Sequence, residues 1–407
     1  MGGIKSERLL SRLEELASIG ARSDGGVCRL AFSDEDLAGR EYVITHLKRL
    51  GLEIRIDAIG NLFGILRGQT NLGAVMIGSH TDTVAAGGKY DGALGVLAAL
   101  EAVECIVESD SLPRRSVIVA SFVNEEGVRF MPDMMGSLFF CGRVSLEDVR
   151  LTSDTGGNTI GEELDRLSYA GSDILDDIGV DFFLELHIEQ GPVLVDAEID
   201  VGVVTGVQGL SWAEVTVSGT ANHAGTTPME RRQDAGEAAG AILTRLRDLP
   251  SLIEDLRLTI GSVTYHPNLV NVIPQEVVFT IDARHPDLRA LKKAEAQIAS
   301  IIQKTGSETA CSVTSRSLAR VEPCDFSETV IAAVEAAATD HNLSQRRMKS
   351  GAGHDAQILS GSVPSGMIFV PSEGGISHNP SEYTTPENII RGANVMLHAT
   401  RNLAGRL

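Results

Sequence analysis

Cysteine is scarce and scattered: the five in 407 residues, Cys28, Cys105, Cys141, Cys311 and Cys324, are odd in number and form no CxxC pair. That spacing argues against a disulfide framework and a thiolate zinc site, and it fits a reducing cytoplasm. Long apolar runs are missing too, since no stretch approaches the ~18 residues of a membrane span, and the N-terminus carries no apolar secretory segment. Positive charge is in deficit. Lys and Arg total 35 against 55 Asp and Glu, a net charge of −20, which would repel a polyanion instead of releasing its counterions and argues against a nucleic-acid partner. There are no internal repeats and no low-complexity tracts, although residues 153–158 read as a loop.

What is present suits an ordinary globular chain, with 43% hydrophobic and 22% charged residues. Its length exceeds the roughly 250 to 300 residues at which single cores stop growing, so two domains are expected. Helical spacing marks 6–18 and 34–50, followed by strand, turn and strand over 52–66 around Gly60-Asn61. Buried strands follow at 74–77, 116–122 and 182–187, with a small-residue helix at 92–107. Strands alternating with helices predict a mixed, mainly parallel α/β sheet covered on both faces. From Leu210 the style changes. An alternating strand, a helix at 234–249, strands at 258–265 and 276–284, a helix at 287–304 and a strand at 309–317 form an α+β unit with a split βαβ pattern. The predicted organisation is therefore residues 1–206 and 320–407 as one α/β domain, with 207–319 inserted as the smaller one. A helix at 327–341, a buried strand at 367–370 and a closing helix from Pro386 complete the chain.

Chemistry gathers where the strands of the larger domain end. Gly78 to Gly92 reads GSHTDTVAAGGKYDG and places His80, Asp82 and Asp91 in a glycine-rich loop directly after an apolar strand. Imidazole nitrogen and carboxylate oxygen suit zinc, manganese and related divalent ions, and a loop leaving a strand end is where a sheet can present them. The same residues also fit a solvated turn. Asn124-Glu125-Glu126-Gly127 ends another strand with adjacent carboxylates whose side chains point in different directions, so one can bind metal while the other acts as general base. Alternation puts His187 and Glu189 on one face of a further strand, and His378 lies in the glycine-rich GGISHNP loop. Each histidine alone reads more readily as a structural residue than as a ligand; the ensemble carries the argument. His80, Asp91, Glu126, His187 and His378 give two metals three protein ligands each if Asp91 bridges, leaving a position for water.

Taken in order, GSHTDTV with GGKYDG, NEEGVRF, ELHIEQG, NHAGTTPM, SGAGHDAQ and GISHNPSE span essentially the whole chain and resemble the amidase/hydantoinase/carbamoylase family, which is similar to the co-catalytic metallopeptidases. The resemblance implies a catalytic α/β domain and a smaller lid and dimerisation domain, working as a homodimer. It implies two divalent ions (Zn, Mn, Co or Ni), one held by His80, Asp91 and His187 and the other by Asp91, Glu126 and His378, with Glu125 as general base and Asp82 orienting the His80 imidazole. It further implies substrate contacts from Gln190, His223, Asn271 and Arg284, and from Gly353 and His354 in the Gly351-Ala352-Gly353-His354 segment. Arginine suits a carboxylate through its planar pair of donors, though Arg284 also fits simple pairing with a nearby acid.

The expected reaction is metal-dependent hydrolysis of the carbamoyl C–N bond of a small ureido carboxylate, first an N-carbamoyl-L-amino acid. Allantoate and ureidoglycolate are the alternative substrates. A dipeptidase or aminoacylase using the same metals, and a binding protein that has lost catalysis, are the competing readings.

Overall fold

The computed structural model describes residues 2–109, 112–173, 175 and 177–405. Its strands, in chain order, are β1 (Glu53–Ile56), β2 (Leu62–Leu66), β3 (Ala74–His80), β4 (Val117–Phe122), β5 (Val180–Ile188), β6 (Val201–Val207), β7 (Gly209–Ser218), β8 (Arg257–Thr259), β9 (Val263–His266), β10 (Glu276–His285), β11 (Ser312–Val321), β12 (Cys324–Asp325), β13 (Gln345–Ser350) and β14 (Ser365–Val370). The chain divides into two compact units, residues 1–206 with 325–407, and residues 207–324.

The larger unit is built on a sheet ordered β1-β2-β4-β3-β5-β14-β6-β12, with β13 beside β6. Its centre, β4-β3-β5-β14, is parallel, and antiparallel pairings of β2 with β4 and β6 with β14 flank it. Every residue of β3, β4 and β14 is buried, which is why these strands read as mostly apolar: helices cover both faces of a parallel sheet. Between β3 and β4 runs the helix Ala93–Glu108, buried on nearly every side, as its ALGVLAALEAV sequence requires. The closing helix Pro386–Ala404 starts at Thr385, whose side chain accepts from the Asn388 N–H, with proline in the first turn. Strand spacing leaves no slack at Gly78, where a Cβ would fall 2.0 Å from the Ala120 carbonyl oxygen. This is the mixed, mainly parallel α/β architecture that the alternation of strands and helices predicts. Among the described residues no helix is long and apolar enough to cross a membrane.

The smaller unit is an antiparallel sheet ordered β11-β7-β10-β8, with β9 also paired to β10. Burial alternates residue by residue along β10, the period of a strand with one face packed and one exposed. Val215, Val217, Phe279 and Ile281 pack there with Ile242 and Leu246 of the helix Ala235–Arg247 and with Ile298 and Ile302 of the helix Leu288–Glu308. Truncating Phe279 to alanine in such a core costs about 3–5 kcal/mol. The single strand expected over 258–265 is broken into β8 and β9. Asp282 stands opposite Thr259 and Phe279 opposite Val263, so residues 260–262 face only 280–281, and the extra residue forms a bulge. Thr280 holds that bulge, its hydroxyl accepting from the Ser262 N–H at 3.1 Å.

Three short helices, Met135–Phe140, Leu146–Leu151 and Ile160–Leu167, were not anticipated. Together with Phe32, Ile59 and Phe130 they bury Val123, and this secures the base of the loop carrying Glu125 and Glu126.

Candidate metal centre

Residues drawn from four parallel strands meet at the carboxyl end of the larger sheet. His80 is the last residue of β3, Glu125 and Glu126 follow β4, His187 is next to last in β5, and His378 lies in the loop beyond β14. Ligand sites in open α/β sheets form at this edge because strand ends there deliver side chains to a common crevice.

Asp91 is the centre of the arrangement. Its Oδ1 lies 3.0 Å from His187 Nε2 and 3.6 Å from His80 Nε2, while its Oδ2 lies 3.4 Å from His378 Nε2. His378 Nε2 is also 3.4 Å from Glu126 Oε2, and Glu125 Oε2 is 3.4 Å from His80 Nε2. Two groups share Asp91, namely His80–Asp91–His187 and Asp91–Glu126–His378, each offering ligand atoms within 4.8 Å of one another. Such neighbours shift each other's titration. Burial pushes the Asp91 carboxyl up, but the surrounding imidazoles of His187, His378 and His80 hold it well below the usual carboxylate range. Burial, then the charge of Asp91, raises Glu126 to about 8; burial, then Glu126, Asp355 and Asp91, raises Glu125 well above its ordinary value against the pull of His80.

The donor set fits divalent metal. His80 Nε2 and Glu126 Oε1 are buried and make no hydrogen bond among the described residues, a costly state for polar atoms that a cation relieves. Their partners on the far side are in place. His80 Nδ1 sits 3.0 Å from the Asp82 carbonyl oxygen and His187 Nδ1 2.9 Å from the Ile188 carbonyl oxygen, so each ring donates from Nδ1 and turns Nε2 inward. The Asp82 carboxylate does something the sequence did not disclose: it lies 3.8 Å from His80 Nδ1 and accepts the main-chain N–H of Glu125 at 3.3 Å and of Glu126 at 3.2 Å. Gly92 closes the pocket. Its φ is +60°, a Cβ there would meet the His80 ring at 2.3 Å, and its N–H points at His187 Nε2, 3.2 Å away.

Of the expected substrate contacts, Gln190 lies at this centre, its Nε2 donating to Asp91 Oδ2 at 2.8 Å. His354 is buried beside it, ring centroid 4.6 Å from that of His187, with Nε2 2.9 Å from Ser350 Oγ; burial and the nearby His187 hold it well below the usual histidine value, hence neutral. Gly353 packs against Met134. His223, Asn271 and Arg284 belong to the smaller unit. There the His223 and Asn271 segments pair, His223 bridging to Val272 and the Ala224 N–H donating to the Asn271 carbonyl at 3.0 Å. Arg284 donates to Asp282 at 2.9–3.0 Å and lies 6.0 Å from the Trp212 ring centre. Glu189, expected on the face of His187, lies just beyond the end of β5 and accepts the Val193 and Leu194 N–H groups at the start of the short helix Val193–Asp196.

Three buried carboxylates near the centre are not conspicuous as individual residues of the sequence. Glu185 accepts from Ser79 Oγ at 2.6 Å and from the Ala356 N–H at 3.0 Å. Asp355 is fully buried, and burial, then Glu185, raises it to about 8. Glu382 accepts the Tyr90 and Asp91 N–H groups, both at 3.2 Å. All three lie inside motifs that resemble the family (ELHIEQG, SGAGHDAQ, GISHNPSE), and that membership is the signal that could have found them.

Comparison with known proteins follows the same lines. The profile of peptidase family M20/M25/M40 matches residues 76–402. Allantoate amidohydrolase of Bacillus subtilis is 37% identical over 399 residues, covering 96% of each chain. N-carbamoyl-L-amino-acid amidohydrolase of Rhizobium meliloti is 35% identical over 412 residues, covering 98% of this chain and 97% of its own. Among solved structures, an amidase of the hydantoinase/carbamoylase family from Burkholderia multivorans superposes with a TM-score of 0.94 at 38% identity, covering 99% of this chain and 98% of its own.

Proposed function

Since the chain belongs to peptidase family M20/M25/M40, and within it to the hydantoinase/carbamoylase amidohydrolases acting on C–N bonds other than peptide bonds, we propose that it hydrolyses the carbamoyl C–N bond of an N-carbamoyl-L-amino acid. The observation that carries this reading is the division of Asp91, with Oδ1 toward His80 and His187 and Oδ2 toward His378, beside a buried second carboxylate, Glu125.

His80, Asp91 and His187 would hold one divalent ion, and Asp91, Glu126 and His378 a second. When bound, such ions supply Lewis-acid polarisation of the carbamoyl oxygen and acidify water. Glu125 takes the proton of the attacking water as the new C–O bond forms at the carbamoyl carbon. Its Oε2 lies 3.4 Å from His80 Nε2, beside the proposed ligands, where a base can reach that water. The same carboxyl then delivers the proton to the amino-acid nitrogen as the C–N bond breaks, giving the free amino acid and carbamate, which decomposes to ammonia and carbon dioxide. Asp82 keeps Glu125 and Glu126 in place through their main-chain N–H groups. Gln190, His223, Asn271, Arg284, Gly353 and His354 are assigned to the substrate, with Arg284 on its carboxylate.

The smaller unit is assigned as the dimerisation domain; it exposes Val263, Tyr265, Leu269 and Val270, apolar surface suited to burial against a second copy. The scattered, odd-numbered cysteines support a reducing compartment. Allantoate is the second reading, favoured by the name of the Bacillus relative. Ammonia release from N-carbamoyl-L-amino acids, allantoate and ureidoglycolate, set against an N-acyl amino acid and a dipeptide after loading with zinc, manganese, cobalt or nickel, tests the assignment. The highest kcat/KM is expected on a carbamoyl amino acid; cleavage of the acyl or peptide substrate with no ureido turnover would overturn it.

A further inference from the structure

We propose that Glu382 is a positioning residue that ties the loop carrying Asp91 to the loop carrying His378 and so sets the spacing across the metal centre. The inference rests on the assignment of Asp91, Glu126 and His378 as ligands. Glu382 is 5% exposed, and each of its oxygens reaches one of the two loops. Oε1 accepts from the main-chain N–H of Tyr90 and of Asp91, both at 3.2 Å. Oε2 accepts from the hydroxyl of Ser377, the neighbour of His378, at 3.0 Å. The same hydroxyl lies 3.3 Å from Asp91 Oδ2 and accepts from Gln190 Nε2 at 3.0 Å, so Glu382, Ser377, Gln190 and Asp91 form a closed ring of hydrogen bonds.

The local sequence is arranged for this contact. Asn379 turns the chain back, its side chain accepting the Ser381 N–H and its carbonyl the Glu382 N–H, both at 2.9 Å. Gly88 lets the carboxylate lie under the Asp91 loop, since a Cβ there would be 2.3 Å from Glu382 Oε1. The need for a tie follows from where the ligands stand. His80 and His187 sit on buried strands, whereas His378 sits in a loop with φ of +53° and a side chain 54% exposed. A buried carboxylate is costly unless fully hydrogen-bonded, and here the bonds that satisfy it end on Asp91 itself and beside His378. Hydrogen bonds to groups that flank metal ligands govern affinity as well as geometry.

Glu382→Ala and Glu382→Gln in the full chain decide the matter, with Mn2+ and Zn2+ alone as probes. Glu382→Ala is expected to hold about one ion per chain after dialysis where the wild type holds two, with the weaker site bound roughly 10- to 100-fold less tightly. Glu382→Gln keeps the oxygen that accepts from Tyr90 and Asp91 and offers an N–H to Ser377, so it is expected to retain both ions. Thermal melting of the metal-free proteins checks folding; should Glu382→Ala fail to fold, Glu382→Asp, one methylene shorter, takes its place, with the same loss of one ion expected. Wild-type retention by the alanine variant (or by the aspartate variant in its stead), or equal loss in the glutamine variant, would overturn the proposal. A wild-type protein that binds no divalent ion and releases no ammonia from any ureido carboxylate instead overturns the functional assignment on which this one rests.

Discussion

The Asp82 carboxylate, 43 positions upstream, accepts the main-chain N–H of Glu125 at 3.3 Å and sends its other oxygen to Glu126. Two adjacent acidic residues are thereby held by one buried acid from a neighbouring strand end, and their side chains are left to separate work. The orientation of His80 falls to the Asp82 carbonyl oxygen, so one residue serves both halves of the centre through different atoms.

Glu125→Gln keeps the size of the side chain and removes its ability to take a proton. Turnover is expected to fall by about 10²- to 10⁴-fold, the usual contribution of a general base, with metal content by elemental analysis unchanged. Near-normal ammonia release would refute the role.

Asp82→Ala leaves the buried Glu125 N–H without its acceptor, at about 1–3 kcal/mol, and the part-buried Glu126 N–H as well. Lower thermal stability together with loss of kcat is expected, since Glu125 and Glu126 both lose their support. A variant as stable and as active as the wild type would show that the loop holds itself.

Gly92→Ala introduces a Cβ at φ +60°, 2.3 Å from the His80 ring. Backbone strain and the displaced imidazole act together, and metal retention after dialysis should drop along with the melting temperature. Full retention would mean that the ring has room to move.

The pH dependence of metal binding follows from His378. In the metal-free protein the hydrogen bond to Asp91 comes first and the charge of Glu126 adds to it, while burial opposes, and the imidazole keeps its proton up to about pH 9. Below that value an ion has to displace the proton, so apparent affinity falls as pH falls, by up to about tenfold per unit for one proton released. Calorimetry at pH 6.5, 7.5 and 8.5 in buffers of different ionisation enthalpy measures the release; affinity independent of pH over this range would exclude His378 as a ligand.

Arg284 is held against Asp282. If it binds the substrate carboxylate, Arg284→Ala should raise KM by roughly 10- to 150-fold, the value of about 1.5–3 kcal/mol for hydrogen bonds to a charged group, with kcat changed far less. A carbamoylated amine without a carboxylate provides the control, and an equal effect on both compounds would remove Arg284 from the clamp.

Much of this architecture could be read from the residues. Mostly apolar runs at 74–77 and 116–122 marked strands covered on both faces, and the alternation running from Leu210 marked a half-exposed one, whose Val215 and Val217 lie in the core of the smaller unit. His80, Glu125, Glu126 and His187 were conspicuous because chemical side chains followed or ended those runs. Short helices were harder. The helix Ile160–Leu167 carried a capping box, Thr159 with Glu162, that could have announced it, whereas Met135–Phe140 offers too few residues to show a period. The break between β8 and β9 depends on pairing with Thr280, and the role of Glu382 depends on contact with Tyr90 and Asp91 nearly three hundred residues away. Such roles are fixed by tertiary contact, which local patterning does not encode.

The strand ends that supply His80, Asp91, Glu126, His187 and His378 are far apart in the order in which the chain is made. His187 precedes the whole of the smaller unit, and His378 follows it. At about 5–20 residues per second, a nascent chain would spend on the order of 10–40 s with His80, Asp91, Glu126 and His187 in hand and His378 still unmade. During that interval the group of His80, Asp91 and His187 is complete, whereas that of Asp91, Glu126 and His378 is not. The order of synthesis thus makes His378 the last of the five proposed ligands to emerge, and the second half-site cannot be complete before it does.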